Sequence, residues 1–334
     1  MKQSLFTGNA GNLERRDFLK GLFAAGSLVA TSRLGAAADE QVMPPFHRKS
    51  SRSYISLGYQ HIQIGLKQPF SILHISDTHL TATTPDDPPD KAAFAAQRRD
   101  GFGGRQELAL ANSLEWAKLN ADYVLHTGDL IDFQTAGNLE LVRKYYGEGD
   151  GTRFGALGNH EYQRRVKGEK PQSTLAYNDL SRKDLSAAYP FDIDMQSTVA
   201  NGVNFVTMSQ VYGLVSEKQV EQFRTERAKG LPIVICMHAP FYTPHIWRAH
   251  EKVWRGGGKK FRQTAVPPMR GDYQRQEEDP VTRAFLADLR REPLLKGILA
   301  GHLHFDVQDR FSPTAMEYVV GGNFLFRGQE IMFT

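Results

Sequence analysis

Ser71-Ile72-Leu73-His74-Ile75-Ser76, followed at once by Asp77-Thr78-His79, sets the pattern from which the rest of the chain is read. A short, mostly apolar run that breaks into a polar cluster is how a buried strand ends in a ligand-bearing loop. The pattern recurs four times. Residues 123–127 run into Gly128-Asp129, 153–157 into Gly158-Asn159-His160-Glu161, 233–237 into His238, and 297–300 into Gly301-His302-Leu303-His304. Between these runs the apolar spacing predicts helices near 107–119, 139–146 and 281–289. Asn201-Gly202 between two strand-like runs signals a hairpin, and Ser216 opens a Ser-x-x-Gln capping box whose helix stops by Gly230. Strands alternating with helices define an α/β protein. In such sheets ligands bind beyond the carboxyl ends of the strands, so five ends of this kind can converge on one polynuclear site.

Charge points the same way. Asp77 and Asp129 brought together repel unless cations lie between them, whereas neutral imidazoles and an Asn carbonyl add donors without adding charge; two divalent ions suit that set. If the strands continue, side chains two apart share a face, so Asp77 with His79, and His302 with His304, aim together. The single cysteine, Cys236, excludes an intramolecular disulfide framework, a four-cysteine zinc site and a Cys-x-x-Cys redox pair, and reads as a buried thiol.

Asp-x-His, Gly-Asp, Gly-Asn-His-Glu, a lone His and Gly-His-x-His, in that order from Asp77 to His304, resemble the calcineurin-like metallophosphoesterases. The resemblance implies a four-layer αββα sandwich, two mixed β-sheets with helices outside. It implies that Asp77, His79 and His304 hold one metal, that Asn159, His238 and His302 hold a second, and that Asp129 bridges both. His160 is then the non-ligand catalytic histidine, with Glu161 placed to orient it or a ligand. The implied reaction is hydrolysis of a phosphoric ester, monoester or diester, by in-line attack of a hydroxide shared by two metals, with Mn, Fe, Zn or Co as cofactors. Purple acid phosphatases share part of the pattern but place a tyrosine where this chain has Asp132, and they lack the histidine found here at His79. An iron-tyrosinate centre is therefore not expected. His74 and His126 lie inside apolar runs and read as strand residues or supports for the ligands. His47, His61, His245 and His250 read as facing solvent or loops.

Residues 14–20, Glu-Arg-Arg-Asp-Phe-Leu-Lys, a short apolar stretch and Ala36-Ala37-Ala38 resemble a twin-arginine (Tat) signal peptide over 1–38. That segment holds five basic residues against two acidic ones, most of the chain's net charge of +4, so the body is nearly neutral. Its apolar run is too short for a stable membrane span. The division that follows is a signal over 1–38, a flexible linker over 39–53 and one metallophosphoesterase domain over 54–334. The implied location is periplasmic or secreted, with the Tat machinery as a partner during export. Residues 81–100 and 242–279 read as long loops, and the basic, tryptophan-bearing stretch 245–264 is a candidate roof for an anionic substrate. A small phosphate ester is the expected substrate. A nuclease or cyclic-nucleotide phosphodiesterase is the alternative enzyme, nucleic acid being a less favoured partner, and a non-catalytic metal-bearing scaffold is the alternative of another class.

Overall fold

The structure, a computed structural model, describes residues 54–148, 151–165, 175–209, 213–255, 276 and 278–334. The expected signal peptide and linker, and residues 256–264 of the basic stretch, lie outside them.

Strand β2 (Phe70–Ile75) is buried along its whole length, and its two faces serve two different cores. Ile72 and Phe70 point into a cluster with Leu125, Phe205, Val234, Cys236, Leu299 and Phe333. Leu73 and Ile75 point the other way, into a cluster with Trp116, Val142, Tyr145 and Leu185. The period of two, combined with burial on both sides, is why the strand reads as a continuous apolar run. Each fully buried side chain of this kind contributes roughly 1.5–3 kcal/mol.

The first cluster lies between two sheets and the second between a sheet and its helices. The first sheet has the order β1 (Ser56–Ile62), β11 (Arg327–Phe333), β2, β3 (Tyr123–Thr127), β4 (Arg153–Ala156). The second has the order β5 (Met195–Ala200), β6 (Val203–Met208), β7 (Ile233–Met237), β8 (Leu295–Ala300), β10 (Met316–Val319), β9 (Val307–Arg310). Both are mixed. In the first only β11 and β2 run antiparallel, so β2, β3 and β4 present their carboxyl ends at one edge. In the second β6, β7, β8 and β10 are parallel. This is the expected sandwich of two mixed sheets flanked by helices.

On the outer face of the first sheet lie α2 (Gln106–Asn120) and α3 (Ala136–Gly147), and α4 (Leu175–Ala188) adds Leu185 to the same cluster. On the second sheet α5 (Glu217–Arg227) packs against β5 and β6, and its Phe223 ring meets Phe285 of α7 (Pro280–Leu289) edge-on at 5.2 Å. The Ser216 capping box forms, and Asn201-Gly202 turns β5 into β6 with both residues at positive φ.

One expected loop is partly helix. Residues Pro89–Gly101 form α1, because Pro89 occupies a first-turn position, Asp90 follows it, and four alanines precede Arg98 and Arg99 in the last turn. The proline cluster is a helix start rather than a break. Likewise Pro244–His250 is a short helix, α6, followed by a π-helical turn over Glu251–Arg255. His250 is buried rather than facing solvent, whereas His61 and His245 are exposed. Both sheets lie in one compact unit, Arg48–Trp247 with Pro267–Thr334. Among the described residues no helix is long and apolar enough to cross a membrane.

Candidate metal centre

Beyond β2 the chain leaves the pleat. Asp77 and His79 have φ of 55° and 54°, so they converge through left-handed backbone and not through the strand parity expected from sequence. Their loop runs beside the one after β3: Asp77 N–H donates to Gly128 O at 3.0 Å and His79 N–H to Asp129 O at 2.9 Å. Asp129, His302 and His304 are also left-handed. Five of the eight non-glycine residues in this conformation among the described residues thus belong to the candidate set. Such backbone costs of order 1–3 kcal/mol per residue and persists only where surrounding bonds dictate it.

These loops bring seven of the expected residues into one cluster. His79 Nε2 lies 3.8 Å from Asp77 Oδ1, 3.8 Å from Asp129 Oδ2 and 3.2 Å from His304 Nε2. His304 Nε2 is 3.2 Å from Asp77 Oδ1. On the other side His238 Nε2 lies 3.0 Å from Asp129 Oδ2 and 3.0 Å from His302 Nδ1. Three sets of converging donors result: Asp77 with His79 and His304; Asp129 with His238 and His302; and His79 with Asp129 and His160. Asn159 sits on the same loop as His160, its Oδ1 buried without a hydrogen-bond partner.

A layer of hydrogen bonds aims these groups. His238 Nδ1 donates to Thr127 O at 2.8 Å, which turns its Nε2 toward the carboxylates. His302 N–H donates to Asp77 Oδ2 at 2.8 Å, and His160 N–H to Asp129 Oδ1 at 2.9 Å. Asp132 accepts from His79 Nδ1 at 3.0 Å through its carboxylate and from His160 Nδ1 at 2.8 Å through its carbonyl. Its carboxylate lies 3.0 Å from the same His160 nitrogen. Arg98 of α1 grips both oxygens of Asp132, at 2.6 and 2.7 Å, and its guanidinium covers Phe102, which stacks on His79 at 4.3 Å. Glu161 does not orient His160. Its carboxylate accepts the N–H groups of Gly158, Asp129 and Leu130, tying the loops after β3 and β4 together. His74 and His126 are supports too, bonded to Thr127 and Thr78, and Thr78 passes the link on to Asn323. The approach is so close that two glycines are obligatory. A Cβ on Gly158 collides with Asp129, and one on Gly301 with Ser76.

The centre favours positive charge. Burial opposes charge on His79, but Asp132, Asp77 and Asp129 outweigh it and raise the imidazole to about 10. His238 is raised to about 9 against the same opposition, by Asp129 and Asp77. Burial works to raise Asp77 and Asp129 as well, yet the surrounding histidines hold both well below the usual carboxylate range. His302 is driven down to about 3 by burial and by the neighbouring His238. Ring nitrogens face one another and face carboxylate oxygens, while Asp77 Oδ1 and Asn159 Oδ1 are buried without a hydrogen-bond partner. Mixed carboxylate, imidazole and amide oxygen is a donor set that fits first-row metal ions.

Sequence reasoning missed Arg98, which lay in a stretch read as loop, and gave Asp132 no role beyond a departure from the tyrosine pattern. Its signal was present, as the second acid of Gly-Asp-x-x-Asp.

Two mixed sheets with a cluster of His and Asp at their carboxyl-terminal edges define an α/β sandwich with a candidate metal site. Residues 70–306 match the calcineurin-like phosphoesterases, and the chain belongs to that family. It is therefore a hydrolase acting on phosphoester bonds, from a metal-dependent family. No curated protein matches it in sequence. Among solved structures it is similar to a Staphylococcus aureus protein described as a 5′-nucleotidase, with 14% identity, 77% of this chain and 49% of that one covered, and a TM-score of 0.39. The chain thus spans about half the length of that protein. It is similar to a dimetal phosphatase from Danio rerio, with 15% identity, 76% and 88% covered and a TM-score of 0.40. The third is a phosphopantetheinyl hydrolase from Mycobacterium tuberculosis, with 12% identity, 76% and 90% covered and a TM-score of 0.38.

Proposed function

We propose that the chain hydrolyses a small phosphate ester at a centre of two metal ions. Asp77, His79 and His304 would hold one, Asn159, His238 and His302 the other, and Asp129 both. Asp129 carries this reading: its Oδ2 lies 3.8 Å from His79 Nε2 and 3.0 Å from His238 Nε2, so one carboxylate faces both donor sets. Bound ions supply charge neutralisation on the phosphoryl oxygens and a water acidic enough to attack at neutral pH.

The residues of the chain orient groups and move a proton. His160 Nδ1–H is committed to Asp132, which fixes the tautomer and leaves Nε2 for the leaving oxygen. Its side chain is 20% exposed, open to an arriving substrate, as is His304 at 21%, whereas His79 and His238 are sealed at 1% and 2%. Asp132 stabilises the imidazolium that gives up this proton, and Arg98 offsets the carboxylate charge that would otherwise stand alone. Replacing His160 with Ala lowers turnover of a chromogenic phosphomonoester or phosphodiester by roughly 10²–10⁴ while metal content stays near that of the parent. Loss of metal instead would make His160 a ligand, in the grouping it forms with His79 and Asp129. Comparing the two chromogenic esters also divides phosphatase from phosphodiesterase.

We further propose that residues 54–334 form the catalytic domain and that 1–38 direct export by the twin-arginine route, as the Arg15-Arg16 pair and the apolar run behind it support. Lysine at both arginines should hold the full chain in the cytoplasm on cell fractionation; unchanged export excludes the route.

A further inference from the structure

Two arginines stand near Asp132, and they are in opposite states. Arg98 has both its bonded nitrogens on the Asp132 carboxylate. Arg165, on the loop that leaves His160, is half-buried, its Nε is buried with no hydrogen-bond partner, and among the described residues it has no ion pair. The loop that carries it is pinned: Gln163 N–H donates to His160 O at 3.0 Å, and Gln134 N–H to Gln163 O at 2.8 Å. Arg165 itself is held at φ 53°, in left-handed backbone.

Its guanidinium lies over the Phe94 ring of α1 at 4.6 Å. Phe94 packs on Phe133 at 5.1 Å, and Phe133 directly follows Asp132, whose carboxylate lies against both His79 and His160. Arg165 is thus mounted on the same frame as the general acid. Burial and then the Arg98 charge act against its own charge, and Asp132 offsets them only in part. A partly desolvated cation that repels its neighbour, carries backbone strain and lacks an anion is poorly explained as a structural element. A planar fork held over an aromatic ring is suited to a carboxylate or phosphate that arrives with the substrate.

We propose that Arg165 forms an anion subsite beside the metal centre and selects phosphate esters that carry a second anionic group, phosphoryl or carboxylate. The inference rests on the phosphoester reading above and deepens it. Calorimetric titration of the metal-loaded full chain tests it with three ligands that share a phosphonate head: methylenediphosphonate, phosphonoacetate and ethylphosphonate. Arg165→Gln weakens the first or second by about tenfold to a hundredfold and leaves ethylphosphonate within about twofold. Whichever of the two is weakened more names the second group, and Arg165→Lys, which keeps charge but not the fork, loses part of the effect. Reading each variant against the parent at equal metal content, with its melting temperature checked, cancels chelation by the ligands and exposes misfolding; should Arg165→Gln not fold, Arg165→Lys carries the same comparison. Equal loss for all three ligands puts Arg165 on the reacting phosphoryl and overturns the subsite, and so does no loss for any. Failure of the parent to bind ethylphosphonate overturns the phosphoester reading itself and this one with it.

Discussion

The two sheets equip the centre differently. Loops after β2, β3 and β4 of the first sheet bring the carboxylates Asp77 and Asp129, with Asp132 and Glu161 behind them and Arg98 behind those. The second sheet brings imidazoles alone, His238 after β7 and His302 and His304 after β8. Asp77, Asp129 and Asp132 on the first side are paired and held below the usual carboxylate range, Asp132 by Arg98 and His160 against its burial, whereas burial and then Asp129 push Glu161 up. On the second side the buried Glu317 of β10 accepts, among the described residues, only Phe241 N–H, at 2.7 Å, and burial pushes it up to about 8. The first sheet holds the second sheet's histidines in place: the His238 ring donates through Nδ1 to Thr127 O, and the His302 backbone N–H donates to Asp77 Oδ2. Carboxylate charge is concentrated on one sheet, and the imidazole donors of the other are correctly placed only when the sheets are in register.

The strongest way to break this asymmetry is to remove charge from the first side. Asp129→Asn is expected to lower turnover by about 10³, equivalent to about 4 kcal/mol of transition-state stabilisation, with loss of bound metal on elemental analysis. His302→Ala, which removes a neutral donor from the second side, should cost less; an equal or greater loss would erase the distinction. Next is the layer behind the ligands. Asp132→Asn should reduce kcat by about tenfold to a hundredfold with most metal retained, because His160 loses its carboxylate partner.

The smallest effect concerns stability and lies on the second side. Glu317 has a folded-state value of about 8 against an ordinary 4.5, so between these limits the folded chain binds a proton that the unfolded chain has lost. Stability from this group is complete below about pH 4.5 and declines as pH rises toward about 8. Glu317→Gln should flatten that decline by on the order of 1 kcal/mol or more in denaturant melts, without altering turnover at fixed pH. A variant that melts with the same pH dependence as the parent would mean that Glu317 is not held neutral.

Much of this was readable from the chain. The α/β rhythm, the Asn201-Gly202 hairpin and the Ser216 capping box are local signals, and local physics produced them. The five polar clusters were readable because apolar runs end abruptly on them. What could not be read was long-range or conformational. Arg98 pairs with Asp132 across 34 residues, and its helix was hidden by Pro88-Pro89, which reads as a break until Pro89 is seen in the first turn. The mutual aim of Asp77 and His79 was inferred from strand parity, but positive φ does that work, and nothing in an Asp or His marks it as left-handed. Glu161 sits beside His160 in sequence, yet its partners are the backbone N–H groups of Gly158 and of the loop after β3.

That left-handed backbone constrains any attempt to improve the protein. At Asp77, His79, Asp129, His302 and His304 the main chain would prefer glycine or asparagine, whereas the centre requires a carboxylate or an imidazole. A selection for heat resistance would be drawn to these five positions, and each relaxed turn it installed would harden an inert molecule.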